Sequence, residues 1–287
     1  MDARNATRTD AAGRRPAPPT GLAASLAVAR SGAGALGGRR RLGMLALVGL
    51  PVLFQVVVLI WGGGRGSAFA NFVWLVDKIY LRAIAPLVLI FVGTAAFGDE
   101  WDGGTAPYLL GAPIKRSTIV LGRWGAAVAR ALVLLLPAIL VLYVLCLLPF
   151  EGAMANYVGE LGAVLLATML MGLAYGAVFL FLGLALRRSV MVSFIIALVF
   201  EGFIGSLPYG FGVLSLGFHA RNLVWRLTGH EGFHPPTFGL DVGEPISAAA
   251  SILFTLLAGV VLFLLLSAWV LRRKQFAGGA GTDGADS

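Results

Sequence analysis

Apolar residues in this chain come in runs of about twenty, separated by short polar or glycine-rich breaks. An α-helix needs roughly 20 apolar residues to cross a bilayer. Six crossings are predicted, over 42–61, 79–97, 128–148, 161–186, 190–218 and 246–271. The fifth run is interrupted by Glu201, Gly202, Gly205 and Pro208, so its helix is expected to break, with short segments returning toward the outer face. Ahead of the first run, residues 1–20 are polar and proline-bearing and read as a disordered tail. Residues 22–29 are mildly amphipathic and suit an interfacial entry helix. Arg14 and Arg15 are followed by prolines instead of an apolar core, so no cleavable signal peptide is expected.

Composition agrees with the pattern. Hydrophobic residues make up 58% and charged residues 13%, with a mean hydropathy of +0.87. Soluble domains are about a quarter charged; this chain has too little polar surface to cover itself in water. The fold class is therefore an all-α integral membrane protein with six transmembrane helices. The net charge of +8 by itself suggests a nucleic-acid partner. The charges lie between apolar runs, however, so they read as a topology signal and nucleic acid is set aside.

Seventeen of the 22 Lys and Arg residues fall on one side of the predicted spans. The other side holds Arg65, Lys78, Arg82, Arg221 and Arg226. By the excess of basic residues on the inner face, both termini and the break at 98–123 are cytoplasmic. The domain plan is a tail at 1–20, a membrane domain at 21–271 with an external loop at 219–245, and a second tail at 272–287. The single cysteine, Cys146, excludes an internal disulfide and any multi-cysteine metal site. Gly172 and Gly176, four apart in the fourth span, suit close helix packing in lipid.

The break at 98–123 has internal order. Asp99, Glu100 and Asp102 come first, then the turn Gly103–Gly104–Thr105, the apolar patch Tyr108–Leu109–Leu110, Pro113, and the basic pair Lys115–Arg116. Thr105 is suited to cap a short helix with Pro107 in its first turn. Apolar residues presented outside the bilayer suit docking to another protein. Arg116, Arg123 and Arg130 recur every seven residues, which places them nearly on one helical stripe. The plainest reading of that stripe is anchoring to lipid head groups, and contact with an acidic partner is the alternative.

The spacing Glu100-x-x-x-Gly104-Thr105-x-x-x-Leu109-Leu110-x-x-Pro113-Ile114-x-Arg116, with Ile119 and Arg123 beyond, resembles the signature of the ABC-2 type permease family, the membrane subunits of one class of ATP-binding-cassette transporters. The layout of an entry helix, six spans, inner termini and a broken fifth span is similar too. Pro107 departs from the pattern, standing where the family more often has a helix former.

The resemblance implies a permease in the cytoplasmic membrane, more an exporter than an importer, that pairs with a second permease chain, identical or related. It makes 98–123 the coupling segment that seats on a separate ABC ATPase subunit. Gly104 and Thr105 would shape its turn, and Leu109, Leu110 and Pro113 would form the contact. Glu100 would pair with Arg116 or with a basic residue of the ATPase. Each lysine follows Asp77, Ile114 or Arg273, so no P-loop is present. ATP and Mg would accordingly belong to the partner, with no cofactor in this chain.

Two other features carry chemistry. Glu201 falls roughly 16 Å along a helix counted from Val190, near mid-membrane. A carboxylate at that depth suits either a translocation path or a structural partner at a helix break. His230-Glu231-Gly232-Phe233-His234 matches the H-E-x-x-H pattern of zinc metalloproteases. That chemistry needs both histidines on one helical face, and Gly229, Gly232 and Pro235–Pro236 oppose a helix there. A membrane zinc protease using His230 and His234 is thus the competing function. His219, beside Arg221, reads as a polar edge.

Overall fold

A computed structural model describes residues 38–61, 68–102, 115–150, 153–186, 188–203, 211–233 and 246–273. The described residues are almost wholly helical and contain no strand. Helix α1 is Gly38–Ile60. Helix α2 runs over 68–102 as three continuous segments, Ala68–Trp74, a wider π-helical stretch Leu75–Ile84, and Ala85–Asp102. Helix α3 is Arg116–Leu147, and α4 is Val158–Ala185, preceded by a single turn Ala153–Asn156. Helix α5 is Ser189–Phe203, α6 is Leu216–Thr228 and α7 is Ala248–Arg273.

Five of these helices are long and apolar enough to cross a membrane: α1, α2, α3, α4 and α7. With 15 residues, α5 reaches only about 22 Å, short of a roughly 30 Å hydrocarbon core. Helix α5 is described as far as Phe203, two residues after Glu201, and Ser215 is extended just before the next helix, so the helical run is interrupted between the two.

The second span begins earlier than its hydropathy suggests. Its apolar window opens at Phe69, and the helix carries Asp77, Lys78 and Arg82 inside it. Asp77 and Lys78 ended the predicted run at residue 79 without breaking the helix. Asp77 is buried and pairs with Lys78 at 2.6 Å. The stretch expected as an external loop from residue 219 is also corrected. Residues 219–228 are helical, and His219 and Arg221 are 2% and 3% exposed instead of forming a polar edge. Burial of α6 against α4 and α7 decides this, and polarity alone did not reveal it.

Helix α4 is the hub, packed against α2, α3, α6 and α7. It makes close approaches through small residues, because lipid offers no hydrophobic drive and helix contact rests on fit. A methyl at Gly183 would sit 2.7 Å from the Thr94 carbonyl oxygen and 2.9 Å from its Cα. One at Gly176 would meet Val128 Cγ2 at 2.6 Å, and one at Gly172 would meet Leu132 Cδ2 at 3.0 Å. The Gly172–Gly176 pair is thus a seam between α4 and α3 within one chain.

Hydroxyls in the helix interiors largely serve their own backbone: Thr94, Thr168 and Thr255 donate to the carbonyls of Ile90, Val164 and Ser251, four residues back. Between helices, Trp124 Nε1 donates to the Leu173 carbonyl at 3.1 Å, and Tyr80 donates to that of Val48 at 2.7 Å. At the far end, Asn222 Nδ2 donates to the Ile246 carbonyl and to Ser251 Oγ, which ties α6 to the start of α7.

Candidate functional site

The strongest polar constellation among the described residues forms where α5 stops. Glu201 lies in the last, π-helical turn of α5, Leu198–Phe203. Helix α6 starts across from it, with Ser215 as its N-cap; Ser215 Oγ accepts the Phe218 N–H at 3.0 Å. The same hydroxyl donates to Glu201 Oε2 at 2.8 Å. Gly217 N–H donates to Glu201 Oε1 at 3.1 Å, and Tyr175 of α4 donates its hydroxyl to the same oxygen. A carboxylate held by three donors at the positive end of a helix is stable where water is scarce.

Gly217 is required by this geometry, since any β-carbon there would overlap the Glu201 carboxylate. Glu201 thus ties together α4, α5 and α6. Arg221 is one further turn along α6, buried, with Nε unpartnered among the described residues. Glu201, Tyr175 and, on α2, Asp77 and Arg82 all lie within electrostatic reach of its guanidinium. Asp77 keeps one carboxylate oxygen, Oδ1, unpartnered among the described residues as well.

Glu201 and Tyr175 also form the polar edge of a cavity of about 370 Å³ bounded by α4, α5, α7 and the start of α6. Its remaining walls are apolar, among them Phe179, Phe200 and Phe254. Gly259 of α7 lets that helix close on Ala174 of α4, where a methyl would stand 2.6 Å from the Ala174 Cβ.

The other predicted residues are distributed differently. Glu100 falls in the backbone of the last turn of α2. Gly104, Thr105, Leu109, Leu110 and Pro113 lie outside the described residues. Arg116 opens α3 and is half-buried, with one guanidinium nitrogen unpartnered among the described residues. The basic stripe does not lie open to head groups along its length: Arg123 is 3% exposed, and Arg130 bonds back to the Ala126 carbonyl at 3.0 Å.

His230 precedes a single 3-10 turn, Glu231–Phe233, and Gly232 N–H donates to its Nδ1 at 3.1 Å. Its ring packs edge-on against Phe69. The described part of the H-E-x-x-H pattern therefore has no α-helix to align two histidines, and His234 lies outside the described residues. No cluster of three metal-ligating side chains occurs among the described residues.

Sequence reasoning found Glu201 but not its partners. Tyr175 was the available signal, a phenol in an otherwise apolar run, together with Ser215 just beyond the glycine- and proline-bearing break. Arg221 was counted among the outer-side charges, and Asp77 entered only as the residue before Lys78, because nothing local shows that they are buried.

The arrangement defines a multi-pass helical membrane protein with a carboxylate-centred break in one short helix. The chain matches the family described as ABC-2 family transporter protein over residues 39–204, more than half its length, and it belongs to that family. It is a membrane component of ABC transport, consistent with a transporter subunit and not an enzyme in its own right, and the family implies partnership with an ABC ATPase subunit. No curated protein matches the chain in sequence.

Proposed function

We propose that this chain is one half of a permease pair in the cytoplasmic membrane, exporting its cargo and driven by a separate ATPase that docks on 98–123. In this reading the chain has six crossings, counting α5 together with the segment that follows it. Both termini are cytoplasmic. The ATPase binds ATP and Mg and closes on them, and 98–123 carries the movement into the membrane. Leu109, Leu110 and Pro113 make the contact, Gly104 and Thr105 shape the turn before it, and Glu100 and Arg116 flank it. Glu201 lies on the translocation path.

The observation that carries this reading is mechanical. Residues 103–115 join the end of α2 to the start of α3, and both helices pack on α4. Helix α4 in turn holds Tyr175, which bonds to Glu201. A displacement at the segment therefore has a packed route to the carboxylate. At 32 residues, α3 is about 48 Å long. That exceeds the hydrocarbon core by roughly 18 Å and lets three turns project toward a soluble partner.

Co-purification tests the proposal. A tagged chain extracted from its native membrane is expected to bring down a soluble ATPase. Leu109→Asp and Glu100→Arg are each expected to lose it while the chain itself stays in the membrane. Recovery of the ATPase with both variants at the level of the unaltered chain would refute docking on 98–123.

A further inference from the structure

We infer that the cavity between α4, α5 and α7 is a binding site for an amphiphile with an apolar body and a protonated amine head, the head seated on Glu201. At about 370 Å³ the cavity has the size of small-molecule sites, which run from roughly 300 to 1,000 Å³. It also has their usual composition, apolar walls with a few convergent polar groups, here Glu201 and Tyr175.

The head-group chemistry follows from counting donors. A carboxylate offers about four lone-pair positions. Among the described residues, Oε1 accepts from Tyr175 and Gly217, and Oε2 accepts from Ser215 alone. One acceptor position remains, on a half-buried side chain that lines the cavity. The tyrosine hydroxyl is already spent on Glu201, so the polar edge presents an acceptor and negative charge. Arg221 does not line the cavity, so it makes no contact with a head group there and only partly offsets the charge of Glu201 from behind. An ammonium on an apolar chain satisfies such a site, whereas a head that offers only a carboxylate or phosphate has no donor for the open acceptor. The aromatic walls add faces suited to a cation.

This site deepens the permease reading by naming the class of its cargo, but binding itself does not depend on an ATPase. The test uses the purified full-length chain in phosphatidylcholine nanodiscs. Binding of radiolabelled dodecylamine is measured at equilibrium after subtraction of empty discs. Saturable binding to one site per chain is expected. Unlabelled dodecanoate should compete roughly tenfold less well than dodecylamine, the order of one charge-assisted hydrogen bond.

Ala258→Phe fills the cavity from α7 and should abolish the saturable component. Glu201→Gln should weaken it roughly tenfold. Equal competition by amine and carboxylate, or undiminished binding with Ala258→Phe, would overturn the proposal, and neither measurement depends on the Glu201 variant folding.

Replacing part of the phosphatidylcholine with phosphatidylethanolamine separates two sources of the same head group. Loss of dodecylamine binding then identifies a membrane lipid as the occupant, and retention identifies a free amphiphile. If amine binding fails while the ATPase still co-purifies, the site falls and the permease assignment stands.

Discussion

Two charged regions of this helix bundle manage their charge in opposite ways. At the start of α3, positive charges stand seven residues apart, and Arg116 keeps a guanidinium nitrogen unpartnered among the described residues. At the end of α5, one negative charge gathers three donors from α4, from the N-cap of α6 and from the α6 backbone. The Arg116 region adjoins the segment expected to dock another protein, and the Glu201 site is largely completed by its own chain. A side chain awaiting an outside partner costs little to remove in the isolated subunit. One that ties three helices together costs more, because its removal strands buried donors.

Breaking the frame that holds the two regions together should have the largest effect. Gly183→Leu forces a side chain into the Thr94 backbone where α4 crosses α2. Separation of these two buried helices is expected to cost about 3 kcal/mol or more. Cys146, free and buried in α3, provides the readout. Its alkylation by a membrane-permeant maleimide should become fast in the variant, and a rate equal to that of the unaltered chain would refute the close contact.

Substitutions at Glu201 come next. Glu201→Ala leaves the donors of Tyr175, Ser215 and Gly217 without their shared acceptor and is expected to lower stability by about 2–3 kcal/mol. Tyr175→Phe removes one donor and keeps the packing, so it should cost about 1 kcal/mol or less. Denaturation in mixed detergent micelles compares the two. Equal losses would mean that Tyr175 carries the site alone, contrary to a shared carboxylate hub.

Arg116→Ala should have the smallest effect on the isolated chain, within about 0.5 kcal/mol in the same assay. Its consequence should appear in recovery of the ATPase, which falls as one flank of the docking segment is lost. A variant as unstable as Glu201→Ala would erase the contrast between the two regions.

Much of the architecture was legible because bilayer solvent imposes a length. The third, fourth and sixth runs end within a few residues of α3, α4 and α7, since each leaves the membrane where apolar residues give way to polar or basic ones. The break beside Glu201 was legible for the same reason. The second span was misjudged by ten residues because hydropathy counts Asp77, next to Lys78, as if it faced lipid. In the fold Asp77 faces protein and pairs with Lys78. Residues 219–228 were misread in the opposite direction, because a short polar helix carries no hydropathy signal that distinguishes it from a loop.

The candidate site divides in the same way. Glu201 stands out in sequence because an ionisable group in an apolar run is rare. Its three donors are 26, 14 and 16 residues away, and no local pattern links them. The seam formed by Gly172 and Gly176 was visible as spacing, but its partner, α3 at Val128 and Leu132, was not.

Legible in the residues alone were the helical membrane class, both ends of α1, α4 and α7 to within a few residues, and an interruption beside a carboxylate. These follow from the thickness of hydrocarbon and the cost of charge within it, which act on each segment separately. What the carboxylate holds and what cavity it borders came from the packing of the bundle. Those depend on which faces of α4, α5, α6 and α7 meet, and that choice is made by side-chain fit across the whole bundle.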